Sequence, residues 1–296
     1  ESIPVLGALA LGAQRLLPVL QQTYVSWTTM QGSRASLVEV LSLLDQRLPE
    51  FADEKSRSTM SFDHSITLKN LAFKYTDNTS WVLKPNLNIC IEKGSCVGLI
   101  GTTGSGKSTL LDIMMGLLEP NVGSLAVDGV NITEQNVRGW QAHIAHVPQA
   151  VFLADISIAE NIAFGESEGN IDYTRVRHAA EKAQISKTIE SWSRQYDTLV
   201  GEQGVRLSGG QRQRIGIARA LYKKADVIIF DEATSALDNN TERAVMEAIY
   251  NLDDELTLII IAHRLTTLKH CSHILELEDG QMKRIGSYVD IVNDLK

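Results

Sequence analysis

The stretch from Gly101 to Ser108 combines a glycine-rich loop with a lysine and a hydroxyl residue, which is the phosphate-binding (Walker A) pattern. The apolar run 96–100 before it is typical of a buried parallel strand, and residues 109–118 read as a helix. Backbone N–H groups at that helix start would face the phosphates, Lys107 would neutralise them, and Ser108 would offer its hydroxyl to Mg²⁺. A flexible glycine-rich connection is the alternative, but the strand-to-helix context favours a phosphate site. Its predicted members are Gly101, Thr102, Thr103, Gly104, Ser105, Gly106, Lys107, Ser108 and Thr109.

Two adjacent acids, Asp231 and Glu232, follow the apolar run 227–230. A carboxylate at Asp231 suits the coordination shell of Mg²⁺, and Glu232 suits the polarisation of the water that attacks the γ-phosphorus. Two acids after a strand also occur as an ordinary solvated turn. The phosphate loop earlier in the chain favours the catalytic interpretation.

A second pattern that suits anion binding at a helix start begins about 100 residues after Lys107. In the segment Leu207–Gln211, Ser208 is a helix N-cap and two glycines open the helix. An ordinary capped helix would have the same pattern. Together with the phosphate loop, the segment resembles the signature sequence of ATP-binding cassette (ABC) ATPases. Its residues are Ser208, Gly209, Gly210 and Gln211.

Four further positions match motifs of this family, in the family order. The resemblance implies that Tyr75 stacks on adenine and that Gln149 touches Mg²⁺ and the lytic water. It also implies that Asp238 lies in a loop at a dimer interface and that His263 contacts the γ-phosphate. Each position has an ordinary alternative, such as a strand aromatic, a surface residue or a satisfied histidine, but their joint occurrence favours the family. The implied catalytic residues are Lys107, Gln149, Glu232 and His263, and the implied Mg²⁺ ligands are Ser108, Gln149 and Asp231.

Two segments resemble the exporter branch of the family. Residues 198–204, just before the signature, are similar to the loop with which exporters meet the cytoplasmic ends of their membrane helices. Residues 158–162 are similar to the exporter pattern that follows the glutamine motif. The usual arginine of the first loop is Gln203 here, which leaves the detail of coupling open.

The composition excludes some functions. A net charge of -8 and the lack of a long Lys/Arg run argue against a nucleic-acid binder. The three cysteines show no paired spacing, so we expect reduced, buried thiols rather than a disulfide framework. The histidines lack ligand spacing with cysteine or acidic partners, so no zinc site is assigned.

The N-terminal part is apolar and helical in pattern. No charge occurs in residues 2–14 or 16–33, with Arg15 between them, and residues 32–48 form an amphipathic stripe. A truncated membrane helix, a helix on the domain surface and a helix packed on a partner all fit. Because the chain starts at Glu1 rather than methionine, we expect it to be part of a longer or processed chain. The resemblance favours the end of a last membrane helix and an amphipathic helix (1–48), a linker (49–61) and an ABC ATPase domain (62–296).

Alternating strand and helix patterns predict an α/β fold. Strands are predicted at 66–75, 87–91, 96–100, 227–230 and 258–262, with helices at 173–192 and 241–250. Strand, helix and strand at this spacing indicate a parallel core. The resemblance adds an antiparallel β subdomain and a helical signature subdomain.

The resemblance implies an ATPase that drives export. Two copies would sandwich ATP and Mg²⁺ head to tail, each phosphate loop facing the other copy's signature, below a transmembrane domain at the cytoplasmic face of a membrane. A soluble ABC ATPase acting on DNA or the ribosome is the second hypothesis, although the chain has one such domain and no long coiled-coil insertion. A non-hydrolysing subunit is the third, and the presence of Lys107, Glu232 and His263 argues against it.

Overall fold

The computed structural model describes residues 2–45, 60–76, 79–250, 255–262 and 264–294. The chain divides into two units, residues 1–55 and residues 56–296. The boundaries predicted at 48 and 61 lie on either side of this division, and they stay a prediction. Residue 263, a predicted catalytic histidine, lies outside the described residues.

The first unit is dominated by one continuous helix, α1 (Ser2–Leu44). A helix of 43 residues extends roughly 65 Å, about twice the hydrocarbon thickness of a bilayer. Its mean hydropathy reaches 1.6, so it is long and apolar enough to cross a membrane. The hydroxyls of Thr23 and Thr29 donate to carbonyl oxygens one turn earlier, at 2.8 and 2.9 Å, which lets these polar groups sit on an apolar helix. The predicted end of this region at residue 48 lies outside the described residues.

The second unit is built on two sheets. A four-stranded antiparallel sheet has the order β2-β1-β4-β5, and a six-stranded sheet has the order β10-β9-β3-β8-β7-β6. In the larger sheet every described pair is parallel except β9 with β10. The strands are β1 (Ser65–Phe73), β2 (Leu83–Glu92), β3 (Cys96–Gly101), β4 (Val122–Val127), β5 (Val130–Asn131), β6 (Ile144–Val147), β7 (Val227–Asp231), β8 (Thr257–Ile261), β9 (His273–Glu278) and β10 (Gln281–Gly286).

Helices cover the larger sheet and form a separate cluster between β6 and β7. The α-helices of this unit are α2 (Lys107–Met114), α3 (Val137–Ala142), α4 (Ile158–Ile162), α5 (Tyr173–Lys182), α6 (Ser186–Glu190), α7 (Gly209–Lys223), α8 (Asn239–Tyr250) and α9 (Tyr288–Asp294). The α/β class, the parallel core, the antiparallel sheet and the helical signature region are therefore confirmed.

Two apolar cores hold the unit together. One lies where α2 packs between the two sheets, and it includes Leu99, Ile113 and Trp140. The other joins α7 to the helical cluster and to β7, and it includes Ile217 and Phe230. Both α2 and β7 contribute to a core. The loop that joins β3 to α2 and the loop that follows β7 are therefore attached to rigid elements.

The turn after β4 is fastened to the start of β1 by one carboxylate. Asp128 accepts hydrogen bonds from the backbone N–H groups of Asp63, His64 and Ser65, at 2.6, 2.8 and 2.8 Å. Burial favours the neutral carboxyl, but these three bonds outweigh it and hold the pKa of Asp128 below its ordinary value.

Several predicted boundaries differ from the structure. The strand predicted at 66–75 ends at Phe73, so Tyr75 lies beyond it. The strand predicted at 87–91 begins at Leu83, because β2 is an edge strand of its sheet and such strands tolerate Pro85. The helix predicted at 173–192 is broken near Gln184, whose left-handed φ of 56° ends a helix.

The cysteines follow the prediction only in part. Cys271 is buried and Cys96 is partly buried, but Cys90 is exposed, because it points outward from the edge strand β2. The prediction of a buried thiol is therefore wrong for Cys90. The Sγ atoms of Cys96 and Cys271 lie 2.8 Å apart, and both thiols are free.

Candidate active site

The phosphate loop joins β3 to the start of α2. Gly106 lies directly before α2 with φ 98°, and a Cβ there would come within 2.7 Å of the Leu83 side chain. A Cβ at Gly101, where φ is 150°, would overlap the backbone oxygen of Leu277. Glycine at both positions therefore lets the loop fold tightly over the carboxyl end of β3.

Lys107 lies at the first position of α2 and folds back over the loop. Its Nζ donates to the carbonyl oxygens of Gly101 and Thr102, at 2.8 and 2.9 Å. Burial lowers the pKa of Lys107, and the charges of Glu232 and Asp231 oppose this shift. The ammonium group is thus held by the backbone of the loop and attracted by the two acids.

Asp231 is the last residue of β7, and Glu232 follows it. Burial raises the pKa of Asp231, while the nearby charges of His146 and Lys107 act in the opposite direction. Glu232 has a left-handed φ of 51°, and its N–H donates to the carbonyl oxygen of Ile261 at 3.1 Å. This backbone conformation turns the chain sharply after the strand and brings Glu232 toward the phosphate loop.

One cleft of about 400 Å³ brings three of the predicted motifs together. The amide of Gln149 donates to Oε2 of Glu232 at 2.7 Å, which joins two of the residues that line the cleft. The lining residues are Val82, Thr103, Gly104, Gly106, Lys107, Ser108, Thr109, Gln149 and Glu232. Sequence reasoning missed Val82, since an apolar residue before a strand carries no functional signal.

Tyr75 lies beside this cleft. Its hydroxyl is 3.2 Å from Oγ1 of Thr109, and its ring meets Phe73 edge-on with centroids 5.0 Å apart. The ring is 59% exposed. A free aromatic face next to a phosphate loop is suited to stacking on a planar base.

The signature residues begin α7 as predicted. Ser208 accepts a bond from the N–H of Gln211, and Gln211 accepts one from the N–H of Ser208, which together form a capping box. Gln213 in the same helix bonds to Oγ of Ser235 and to the N–H of Ala236. The signature helix is thus tied to the loop that carries Asp238.

The signature and the phosphate loop do not share a cleft within one chain. Among the described residues, none from Ser208 to Gln211 lines the cleft at Lys107. Asp238 is exposed and accepts bonds from the N–H groups of Asn240 and Thr241 at the start of α8. These predicted site residues therefore lie on another part of the surface.

The side chains near the cleft include oxygen donors that suit Mg²⁺. The Ser108 hydroxyl, the Asp231 carboxylate and the Gln149 carbonyl are hard ligands of the kind this ion prefers. Asp231 is half-buried, as expected for a carboxylate whose charge a cation would balance.

A second group of residues, absent from the sequence-based prediction, lines a small cavity together with Glu232. Glu242, Thr234, Thr267 and Arg264 form a hydrogen-bonded cluster that reaches the residue next to position 263. Their spacing along the chain gave no signal, because the contacts depend on how β7, α8 and β8 are arranged.

Comparison with known proteins identifies the family. The family model described as "ABC transporter" matches residues 85–235. The ATP-dependent lipid A-core flippase of Chromohalobacter salexigens is 37% identical over 275 residues, which cover 93% of this chain and 46% of the flippase. Mouse ATP-binding cassette sub-family B member 5 is 36% identical over 78% of this chain and 18% of its own length.

A solved structure agrees. A bacterial Atm1-family ABC exporter with ATP bound has a TM-score of 0.79 and 32% identity, and the similarity covers 90% of this chain and 47% of the exporter. The chain spans about half the length of the curated flippases that it matches. With the phosphate loop, the paired acids and the signature helix in the family's arrangement, the chain belongs to the ABC transporter family, and its second unit is an ABC ATPase domain.

Proposed function

We propose that this chain is the ATP-hydrolysing domain of an exporter-type half-transporter, together with the end of its last membrane helix. The observation that carries the proposal is the single cleft in which Lys107, Gln149 and Glu232 meet. ABC exporters and flippases among the similar proteins support it. These similar proteins give no support to the second hypothesis, a soluble ABC ATPase that acts on DNA or the ribosome.

In the proposed reaction each side chain has a separate role. Lys107 and the N–H groups at the start of α2 stabilise the charge that develops on the transferred phosphoryl group. Glu232 orients and polarises the attacking water, and Gln149 holds the Glu232 carboxylate through the hydrogen bond to its Oε2. Ser108, Asp231 and Gln149 would hold Mg²⁺, which supplies further charge neutralisation. His263 is proposed as a γ-phosphate contact from the family resemblance.

The separation of the signature from the phosphate loop supports a site shared between two copies. Ser208–Gln211 of one copy would complete the cleft of the other, because a capped helix start attracts anions. Asp238 would then lie near the contact between copies. Binding of ATP would close the pair and hydrolysis would loosen it.

Exposed apolar side chains support docking on a transmembrane domain. Phe152 and Phe164 are both exposed, and both contact Arg219, whose NH1 donates to the Phe152 carbonyl at 3.0 Å. Leu199, within the exporter-type loop, and Val205, directly after it, are exposed as well. Apolar groups clustered after Gln149 and around this loop are suited to receiving cytoplasmic ends of membrane helices. These exposed groups support the proposed position of the domain at the cytoplasmic face of a membrane.

The proposal is tested first by phosphate release. The purified chain with ATP and Mg²⁺ should release phosphate, and Lys107→Ala should not. Absence of turnover in the wild type at high protein concentration would contradict the proposal.

Export is tested with the complete transporter reconstituted in vesicles. Because similar proteins are named ATP-dependent lipid A-core flippases, lipid A-core is the first cargo to measure. ATP-dependent movement that is lost in Lys107→Ala supports export, whereas ATP hydrolysis without movement of any amphipathic cargo would argue against it.

A further inference from the structure

Glu242, near the start of α8, is the one charged residue among the described residues that is buried. It is 7% exposed. Removing a carboxylate from water is costly unless hydrogen bonds and an opposite charge compensate. The partners of Glu242 therefore show what the buried charge holds in place.

Those partners come from two segments of the chain, one after β7 and one after β8. Oε1 accepts hydrogen bonds from Oγ1 of Thr267 at 2.6 Å and from Oγ1 of Thr234 at 3.0 Å. Oε2 accepts one from NH1 of Arg264 at 2.9 Å. One carboxylate thus joins α8 to the segment after β7 and to the segment after β8.

Both joined segments carry residues of the hydrolytic site. Thr234 follows Glu232 by two residues, and the Glu232 carbonyl accepts a bond from the N–H of Ser235 at 3.0 Å, which makes this a tight turn. Arg264 directly follows position 263 in the chain. A carboxylate that fixes Thr234 and Arg264 therefore restrains the turn at Glu232 and the segment that begins at Arg264.

Glu242 also shares a small cavity with Glu232. This space of about 80 Å³ is lined by Glu232, Thr234, Ser235, Glu242, Ala262, Arg264 and Thr267. The cleft at the phosphate loop also includes Glu232, but it does not include Glu242 among its described lining residues. Glu242 thus lines a cavity together with Glu232 without lining the cleft of the phosphate loop.

We infer that Glu242 is a positioning residue for ATP hydrolysis, which acts by fixing the turn at Glu232 and the segment at Arg264. This inference rests on the proposed ATPase function. It assigns no contact with the nucleotide to Glu242. Loss of the carboxylate should therefore reduce the rate of the chemical step more than it reduces ATP binding.

The first experiment compares Glu242→Gln with Glu247→Gln. Both residues lie on α8, but Glu247 is exposed. The kcat of Glu242→Gln should fall roughly 10- to 100-fold, the size expected for a small misplacement of a catalytic group, while KM for ATP stays within about twofold. Glu247→Gln should match the wild type in both constants.

The second experiment removes one hydroxyl without changing side-chain size. Thr267→Val deletes the 2.6 Å bond to Glu242, whereas Thr267→Ser keeps a hydroxyl. We expect kcat to fall in Thr267→Val and to recover in Thr267→Ser, with melting temperatures of the two variants within a few degrees. If Thr267 had a purely structural role, kcat would instead depend on side-chain packing. Thr267→Val would then stay closer to the wild type than Thr267→Ser, because valine preserves the packing better than serine.

Three outcomes would overturn the inference. Wild-type kcat in folded Glu242→Gln and Thr267→Val would do so. A parallel loss of kcat, ATP affinity and melting temperature would show that Glu242 only supports the fold. A wild type without turnover would remove the proposed function, and this inference with it, so the two failures are distinguishable.

Discussion

Gln149 Nε2 donates a hydrogen bond of 2.7 Å to Oε2 of Glu232. The two residues belong to different segments, since Gln149 follows β6 and Glu232 follows β7. A shift of the segment after β6 would therefore change the orientation of the carboxylate directly. If a partner docks near Gln149, as proposed, we expect this bond to carry its effect to Glu232.

The role of Glu232 is tested by Glu232→Gln. The amide keeps the size of the side chain but cannot polarise water, so we expect turnover to fall roughly 100-fold or more, in the range of general-base effects. ATP affinity should stay near wild type, because the acid contributes little to ground-state binding. Single-turnover hydrolysis and sizing with ATP and Mg²⁺ measure both effects. Near-normal turnover would remove Glu232 from the catalytic role.

The exposed ring of Tyr75 is expected to bind adenine. Tyr75→Ala should weaken ATP binding by about 1 to 2 kcal/mol, the value of a base stacked on an aromatic ring. Binding of inorganic triphosphate should not change. Tyr75→Phe is the matched control, since it keeps the ring and loses only the contact with Thr109. Equal losses for ATP and triphosphate would mean that Tyr75 supports the fold instead.

We expect the hydrogen bonds that Asp128 accepts from residues 63–65 to make a pH-dependent contribution to stability. Asp128→Asn should lower the free energy of unfolding by about 1 kcal/mol, as expected for hydrogen bonds to a charged group that still contacts water. Because the folded pKa of Asp128 is depressed, this contribution is complete above the unfolded value and is lost as the pH falls through the folded pKa. In urea unfolding, the difference in the free energy of unfolding between the wild type and Asp128→Asn should be the same at pH 7 and pH 5. It should shrink only below about pH 4. A difference that already shrinks between pH 7 and pH 5 would contradict this assignment.

The N-terminal helix should affect the solubility of the protein and leave its affinity for ATP unchanged. Deleting residues 1–48 removes an exposed apolar helix and none of the phosphate-contacting motifs. We expect unchanged ATP affinity and improved solubility without detergent. A large loss of affinity would show that the helix is an integral part of the ATPase domain.

The shared site is tested by dilution and by mixing. Since pairing is bimolecular, specific ATPase activity should rise with protein concentration over about a hundredfold range. Lys107→Ala mixed with Ser208→Glu should regain some activity, because one of the two sites in the mixed pair has an intact phosphate loop and an intact signature. Activity per molecule that stays constant on dilution of a sample shown to be monomeric would exclude the shared mechanism.

Local sequence predicted much of the site, because its central residues belong to short motifs. The phosphate loop up to Ser108 and the two acids at the end of β7 are encoded by contiguous residues on predictable elements. The cluster around Glu242 was missed, because Glu242 on α8 and its partners after β7 and after β8 meet only in the fold. The early start of β2 was missed for a similar reason. Pro85 is tolerated because β2 lies at the edge of its sheet, and the sequence alone does not show that position.

The left-handed backbone at Glu232 has a practical consequence for engineering. Holding a residue with a side chain at φ 51° costs roughly 1 to 3 kcal/mol, and glycine would relieve this strain. A selection of variants by heat resistance alone would therefore favour glycine at this position and discard the acid. Any thermostability screen of this domain needs a simultaneous turnover measurement to avoid enriching robust, inactive protein.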